Sequence, residues 1–293
     1  MGIDSKKLDL FKKIIKIPCI SGYENLSALP KFLYEYLKKL NYNPKIDESH
    51  NVLFQLNNGN AKTILIEAHM DEVGFIKING QFNSIGEISK KYFYESYLEK
   101  VNENLFSFKK DIFLKKDKIF SPSLDNRVGC FSLLYLTDLF KKSAIKLNTN
   151  IIIAFTTCEE TTCKGIINIV KDINPDIIIS IDSAYAFPYK EKNWKVPFSG
   201  KGPAIQIKGK GFFIKNYKLI EDIAKANNIP YQYEIVDKNS GATNLSALTD
   251  YNAQKFQINI PVLNQHTDLS ETNINDIENC SKLLFALIKH LDE

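Results

Sequence analysis

Apolar runs and amphipathic runs alternate along this chain at lengths that leave little besides a layered α/β fold. Lys62–Ala68 is almost continuously apolar, as a strand covered on both faces must be. Further strands are expected at Val52–Leu56, Val73–Ile78, Asn150–Thr157, Asp176–Asp182, Ala204–Gly209, Tyr231–Val236 and Lys255–Ile260. Between them, helices are expected at Ser5–Ile17, Leu26–Leu40, Arg127–Phe140, Ile166–Val170, Tyr217–Asn227 and Ile274–Leu291. In the first, Leu8, Phe11, Ile14 and Ile15 recur at helical spacing, Asp4 or Ser5 serves as cap, and Pro18 to Gly22 ends it. Asn79-Gly80 is a hairpin signal. Strands separated by helices of this length predict a mixed, mainly parallel central sheet with helices on both faces.

Asn83–Lys118 breaks the pattern. It is rich in Lys, Tyr and Phe, lacks clean periodicity and reads as a small, reduced β insertion. The expected organisation is one main domain, residues 1–80 and 119–293, interrupted by a subdomain at 81–118. Its many aromatics argue that it packs beside the main domain as a partial lid rather than lying disordered. Trp194 and the many Phe read as core or rim.

Several function classes are excluded early. No apolar run approaches the roughly 20 residues that span a bilayer, and Met1–Lys16 has no signal-peptide core, so no membrane partner is expected. Basic and acidic residues nearly cancel, 38 against 34. All the basic residues but one are Lys, the exception being Arg127. Abundant Lys, Asn and Ile read as codon bias; phosphate and base readout favours Arg, so no nucleic-acid partner is expected. Five cysteines at positions 19, 130, 158, 163 and 280 form neither a disulfide framework nor a zinc ribbon, which suits a reducing cytoplasm. Cys158 and Cys163 read as small buried apolar residues.

In open α/β sheets ligands bind beyond the carboxyl ends of the strands. The polar residues expected there are His69 and Asp71, Glu159 and Glu160, Asp182, and His266, with Asp125 at a helix entrance. Taken singly, each has an ordinary explanation: a hydrogen-bonded histidine, a helix cap, a solvated turn, a loop histidine. Together at one sheet edge, imidazole and carboxylate groups suit Zn, Co, Mn or Fe. Terminal ligands, a bridging carboxylate and a spare carboxylate are the parts of a two-metal hydrolase. A glycosidase reading of Glu159 and Glu160 is poor, because neighbours on a strand point to opposite faces.

At these residues the sequence resembles the glutamyl or deblocking aminopeptidases, the tetrahedral aminopeptidase-like dinuclear metallopeptidases of clan MH. The matching stretches are Ser21-Gly22-Tyr23-Glu24, His69-Met70-Asp71-Glu72-Val73-Gly74-Phe75, Leu124-Asp125-Asn126-Arg127-Val128-Gly129-Cys130 and Phe155 to Glu160. Asp182, Gly200 to Ile205 and the closing helix after His266 follow in order. The resemblance implies a zinc-exopeptidase-like fold with two divalent metal ions, Zn first, Co or Mn next. Asp125 would bridge them, His69 and Asp182 completing one site, Glu160 and His266 the other. Glu159 would be the general base acting on a water between the metals, and Asp71 would orient His69. The implied substrate is a peptide with a free N-terminus, whose α-amine could ligate a metal.

This sequence departs from the family pattern in four places. The inserted second domain is short, which implies a monomer or small homo-oligomer in place of a twelve-subunit shell. Gly241-Ala242-Thr243-Asn244 stands where Gly-Gly-Thr-Asp is usual, Ser270 replaces a Glu, and Thr161-Thr162-Cys163 replaces small apolar residues. A di-zinc deacylase, or an inactive metal-binding homologue that binds peptides or serves assembly, is the alternative. The intact Glu159 opposes the inactive reading, since a scaffold has no use for a spare base.

Overall fold

A computed structural model describes residues 3–88, 94–187, 196–209, 212–213, 215–236 and 242–293. Trp194 and Gly241, and with them Lys90, Lys91, Tyr92 and Phe93 of the aromatic- and Lys-rich insertion, lie outside them. The chain opens with α1 (Ser5–Lys16), where the Asp4 side chain accepts from the Lys7 N–H at 2.9 Å, and α2 (Leu29–Lys39), with Pro30 in its first turn. Leu29, Leu33 and Leu37, one turn apart, form the buried stripe of α2.

The strands of the first part are β1 (Lys45–Ile46), β2 (Val52–Asn57), β3 (Thr63–His69), β4 (Gly74–Ile78), β5 (Gln81–Ile85), β6 (Leu98–Lys100), β7 (Leu105–Phe108), β8 (Phe113–Lys115) and β9 (Lys118–Ser121). Then follow α3 (Leu124–Ser143), β10 (Asn150–Thr156), α4 (Lys164–Ile173), β11 (Ile177–Tyr185), β12 (Ala204–Gly209), β13 (Phe212–Phe213), α5 (Tyr217–Ala226), β14 (Gln232–Ile235), β15 (Gln254–Leu263), β16 (Ser270–Asn273) and α6 (Ile274–Asp292).

The centre of the main sheet is four parallel strands in the order β10-β3-β11-β15. Antiparallel strands extend it on both sides, so it is mixed and mainly parallel at its core, as expected from the sequence. Beyond β15 the sheet divides. Ile258 and Asn259 pair with β12, whereas Val262 and Leu263 pair with β16. Pro261, which has no N–H to give, falls between the two partners.

One face of the central strands is apolar. Ile64, Ile66, Ile151, Ile153, Ile177, Ile179, Phe256 and Ile258 pack there with residues of α1, α2, α3, α5 and α6. The other face changes character along the strands. Leu65, Ala154 and Ile178 pack against α4, together with Leu245 and Leu248 of a short 3-10 helix. Two residues further on, the same face carries Glu67, Thr156 and Ser180, and then His69 and Asp182.

The insertion differs from expectation at both ends. Gly74–Ile78, read as part of the main domain, belongs to a separate four-stranded sheet of order β5-β4-β7-β6. Conversely, β8 and β9 join the edge of the main sheet through β16. The small sheet has its own aromatic cluster, with Phe75 and Phe108 edge to face at 5.4 Å and Phe82 and Phe106 likewise at 4.9 Å. Among the described residues no helix is long and apolar enough to cross a membrane.

Arg127, the only arginine, is fully buried. Its Nε donates to the Ile14 carbonyl at 3.1 Å, one terminal nitrogen to the Ile17 carbonyl at 3.0 Å, and the other to the carbonyl of Met70. The Glu72 carboxylate is 3.8 Å away. Arg127→Ala strands these acceptors and should lower stability by about 3–5 kcal/mol. Arg127→Lys should recover only part of it, since one ammonium cannot match the guanidinium fork. Urea midpoints of the three proteins check this; a wild-type midpoint in the Lys variant would contradict it.

Candidate functional site

Local structure fixes each polar group at the sheet edge. His69 is the last residue of β3, and the turn after it is bound into the N-terminal segment. The Glu72 N–H donates to the Cys19 carbonyl at 2.8 Å and the Ser21 N–H to the Glu72 carbonyl at 3.0 Å. Asp125 and Asn126 keep non-helical dihedrals at the entrance of α3, and the peptide between them is cis. The Asn126 amide donates to the Ile181 carbonyl at 2.8 Å and its oxygen accepts from the Gly129 N–H at 3.0 Å. A Cβ at Gly129 would stand 2.5 Å from that oxygen, so only glycine fits.

Glu159 and Glu160 follow β10 in a turn. Their backbone N–H groups donate to the two oxygens of Asp71, each at 3.2 Å. The pair lies off the strand, so strand alternation does not separate the two side chains; both face the cavity, and that argument against a glycosidase falls away. His266 has a left-handed backbone, with φ of 57°, and its Nδ1 lies 2.7 Å from the Glu87 carbonyl.

All seven residues singled out from the sequence meet here. His69 Nε2 is 3.3 Å from Asp125 Oδ1 and 3.2 Å from Asp182 Oδ1. His266 Nε2 is 3.1 Å from Asp125 Oδ2 and 3.2 Å from Glu160 Oε1. Two groups result that could each hold a metal ion, His69–Asp125–Asp182 and Asp125–Glu160–His266. Asp125 is common to both and turns one oxygen to each. Glu159 belongs to neither, its Oε2 lying 3.8 Å from His69 Nε2. Behind His69, Nδ1 is 3.2 Å from the Asp71 carbonyl and 3.6 Å from its carboxylate.

Charge is unbalanced at this edge. Burial raises the carboxyls of Glu159, Glu160 and Asp182 above their ordinary range, although His69 and His266 oppose it. Asp125 is buried too, but the two imidazoles beside it outweigh that and hold it well below the ordinary range. Burial disfavours charged imidazole, yet the surrounding carboxylates raise His69, and raise His266 to about 12. Two buried oxygens, Asp125 Oδ1 and Glu160 Oε1, have no hydrogen-bond partner among the described residues. Four carboxylates converging on two imidazoles, with two oxygens left unpaired, fit divalent cations bound by nitrogen and oxygen.

A cavity of about 370 Å³ opens beside these groups, and its walls include residues that the sequence reading missed. Gln206, Glu234 and Asn259 are buried in it. Burial pushes the Glu234 carboxyl up to about 8, against a hydrogen bond from Asn259 and with help from Asp182. Just below, Glu67 accepts from Thr156 Oγ1 at 2.9 Å, from Asn244 Nδ2 at 2.8 Å and from the Ser180 hydroxyl. The available signal was polar residues alternating with isoleucine in Ala204–Gly209 and Lys255–Ile260, which reads equally as a solvated face.

Known proteins resemble this chain over nearly its whole length. A protein of Acetivibrio thermocellus assigned by name to the aminopeptidases is 28% identical over 96% of this chain and 98% of its own. The TET aminopeptidase of the marine sediment archaeon Thaumarchaeota archaeon SCGC AB-539-E09 shares the fold, with a TM-score of 0.86 at 18% identity over 98% of this chain and 97% of that one. Pyrococcus horikoshii TET1 peptidase, described as assembling into a tetrahedron or a large octahedral shell, gives a TM-score of 0.80 at 22% identity over 96% and 99%. Residues 100–283, more than half of the chain, match the M42 glutamyl aminopeptidase family. On this match the chain belongs to the M42 glutamyl aminopeptidase family and is a peptide hydrolase.

Proposed function

We propose that the chain is a dinuclear metallo-aminopeptidase that removes the N-terminal residue of peptides. The observation that carries this is the single Asp125 carboxylate turned at once to His69 and His266, with Asp182 and Glu160 completing the two groups. The residues fit two divalent ions, Zn above Co or Mn. When bound, such ions lower the pKa of an attacking water and polarise the scissile carbonyl. Glu159 takes the proton of that water and delivers it to the leaving amine. It suits the task because it stands beside the ligands without being one, in a buried setting that raises its proton affinity. Asp71 fixes the Glu159–Glu160 turn through both backbone N–H groups and so acts as a positioning residue.

Metal analysis of the reconstituted protein should approach two ions per chain, and Asp125→Ala should lose both. Retention of one tightly held ion in that variant would rule out a bridging role.

The deciding activity experiment compares aminoacyl amides bearing a free amine with their N-acylated analogues. Cleavage confined to free amines supports the aminopeptidase; preference for the acylated set indicates a deacylase. Glu159→Gln should keep its metal and lose about 10²–10⁴ in rate. Turnover near that of the wild type in this variant would reject Glu159 as the base.

The short insertion supports a monomer or small oligomer, in contrast to the shells described for Pyrococcus horikoshii TET1. Light scattering should give a mass well below that of twelve subunits; a stable dodecamer would refute this assembly.

A further inference from the structure

Gln206 and Glu234 stand outside both metal groups, yet they line the same cavity. They are register partners on β12 and β14, so their side chains share one face of the sheet. Gln206 is fully buried, and neither its Oε1 nor its Nε2 has a hydrogen-bond partner among the described residues. A carboxamide unpaired at both ends is costly, and in a folded protein it calls for a ligand or water to explain it.

Glu234 is only 3% exposed. Its Oε2 accepts from Asn259 Nδ2 at 2.6 Å, Asn259 Oδ1 accepts from Gln257 Nε2 at 2.7 Å, and Gln257 Oε1 accepts from Thr243 Oγ1 at 3.1 Å. This relay fixes the Asn259 amide and aims one Glu234 oxygen. The other oxygen has no partner among the described residues. Six carboxylates line the cavity, and His266 is the one group among the described lining residues that can carry positive charge. Two divalent ions would be matched by Asp125, Glu159, Glu160 and Asp182. Glu234 would still lack a counter-ion, and a cation placed beside it would favour the ionised form that burial opposes.

We propose that Glu234 and Gln206 form a side-chain subsite for a cationic N-terminal residue, lysine or arginine, whose charged end pairs with Glu234 and donates to Gln206 Oε1. The proposal rests on the aminopeptidase reading above. An ammonium carries three donors and a guanidinium five, enough for both acceptors. An acidic side chain in the same place meets a wall of like charge, and an aliphatic one leaves Gln206 unpaired.

The test measures kcat/KM of the metal-loaded full chain on lysyl, arginyl, norleucyl and glutamyl p-nitroanilides. Norleucine keeps the carbon chain of lysine without its ammonium, so their ratio isolates the charge. Lysyl should exceed norleucyl by about tenfold or more, with glutamyl lowest. In Glu234→Gln that ratio should fall by about the same factor, whatever the overall rate. If this variant does not fold, Gln206→Leu supplies the same readout. Calorimetric binding of lysinamide and norleucinamide to Glu159→Gln reads the preference without turnover.

A ratio near one in the wild type overturns the subsite. So does a ratio unchanged in Glu234→Gln, the outcome if Glu234 instead holds the α-amine that all these substrates share. Failure to cleave any free-amine substrate is failure of the aminopeptidase reading, and the binding preference still decides the subsite.

Discussion

The site depends first on one buried guanidinium. Arg127 sits two residues after Asp125 and reaches the carbonyls of Ile14, Ile17 and Met70. Met70 in turn separates His69 from Asp71. One side chain therefore ties Asp125, His69 and the Asp71 carboxylate that holds the Glu159–Glu160 turn to the end of α1. Lys cannot do this, having a point charge on a flexible stem. That gives a physical reason for the single arginine of a Lys-rich chain to stand here. Glu72 completes the arrangement. Its Oε2 takes the buried Lys110 ammonium at 2.6 Å and its Oε1 the Cys19 N–H at 2.9 Å. Among the described residues, Arg127, Glu72 and Lys110 therefore all have partners at the base of the site.

Much of this was legible in the sequence, for a definite reason. His69, Asp182 and the Glu159–Glu160 pair follow long apolar runs, so the strand ends and the polar residues announce each other. Asp125 and His266 stood out only as members of the set. The missed residues sit inside strands. Gln206, Gln257 and Asn259 alternate with isoleucine, and period-two alternation normally marks a face turned to water. Here that face is turned to a cavity, a tertiary fact with no local signal. The insertion boundary failed for a related reason. Gly74–Ile78 is as apolar as a strand of the main sheet, and its membership is decided by pairing with Gln81–Ile85 and Leu105–Phe108.

The departures from the family pattern have partners in this structure. Asn244, where an acid is usual, donates its amide to Glu67 and Thr156, at 2.8 and 2.9 Å. The acid absent at 244 is present beside it, as Glu67 on β3. Burial raises Glu67 to about 7, against its three hydrogen bonds, and a second acid in contact would compete for the same proton. Ser270 turns its hydroxyl to the Asn264 carbonyl at 2.8 Å and so helps close the turn that presents His266. Glu271, one residue on, pairs with Lys118 across β16 and β9.

The segments flanking the small sheet touch the site at two separate points. The Glu87 carbonyl meets the outer nitrogen of His266, and Lys110, where the segment returns to the main sheet, neutralises Glu72 and reaches Ser123 Oγ at 2.5 Å. These anchors lie on the near side of the subdomain, whereas Tyr94 and Tyr97 on the strand-free stretch are exposed. Loop length in this segment thus has a lower bound. A splice joining residue 73 directly to 111 would remove both a histidine's orienting acceptor and a buried acid's counter-ion.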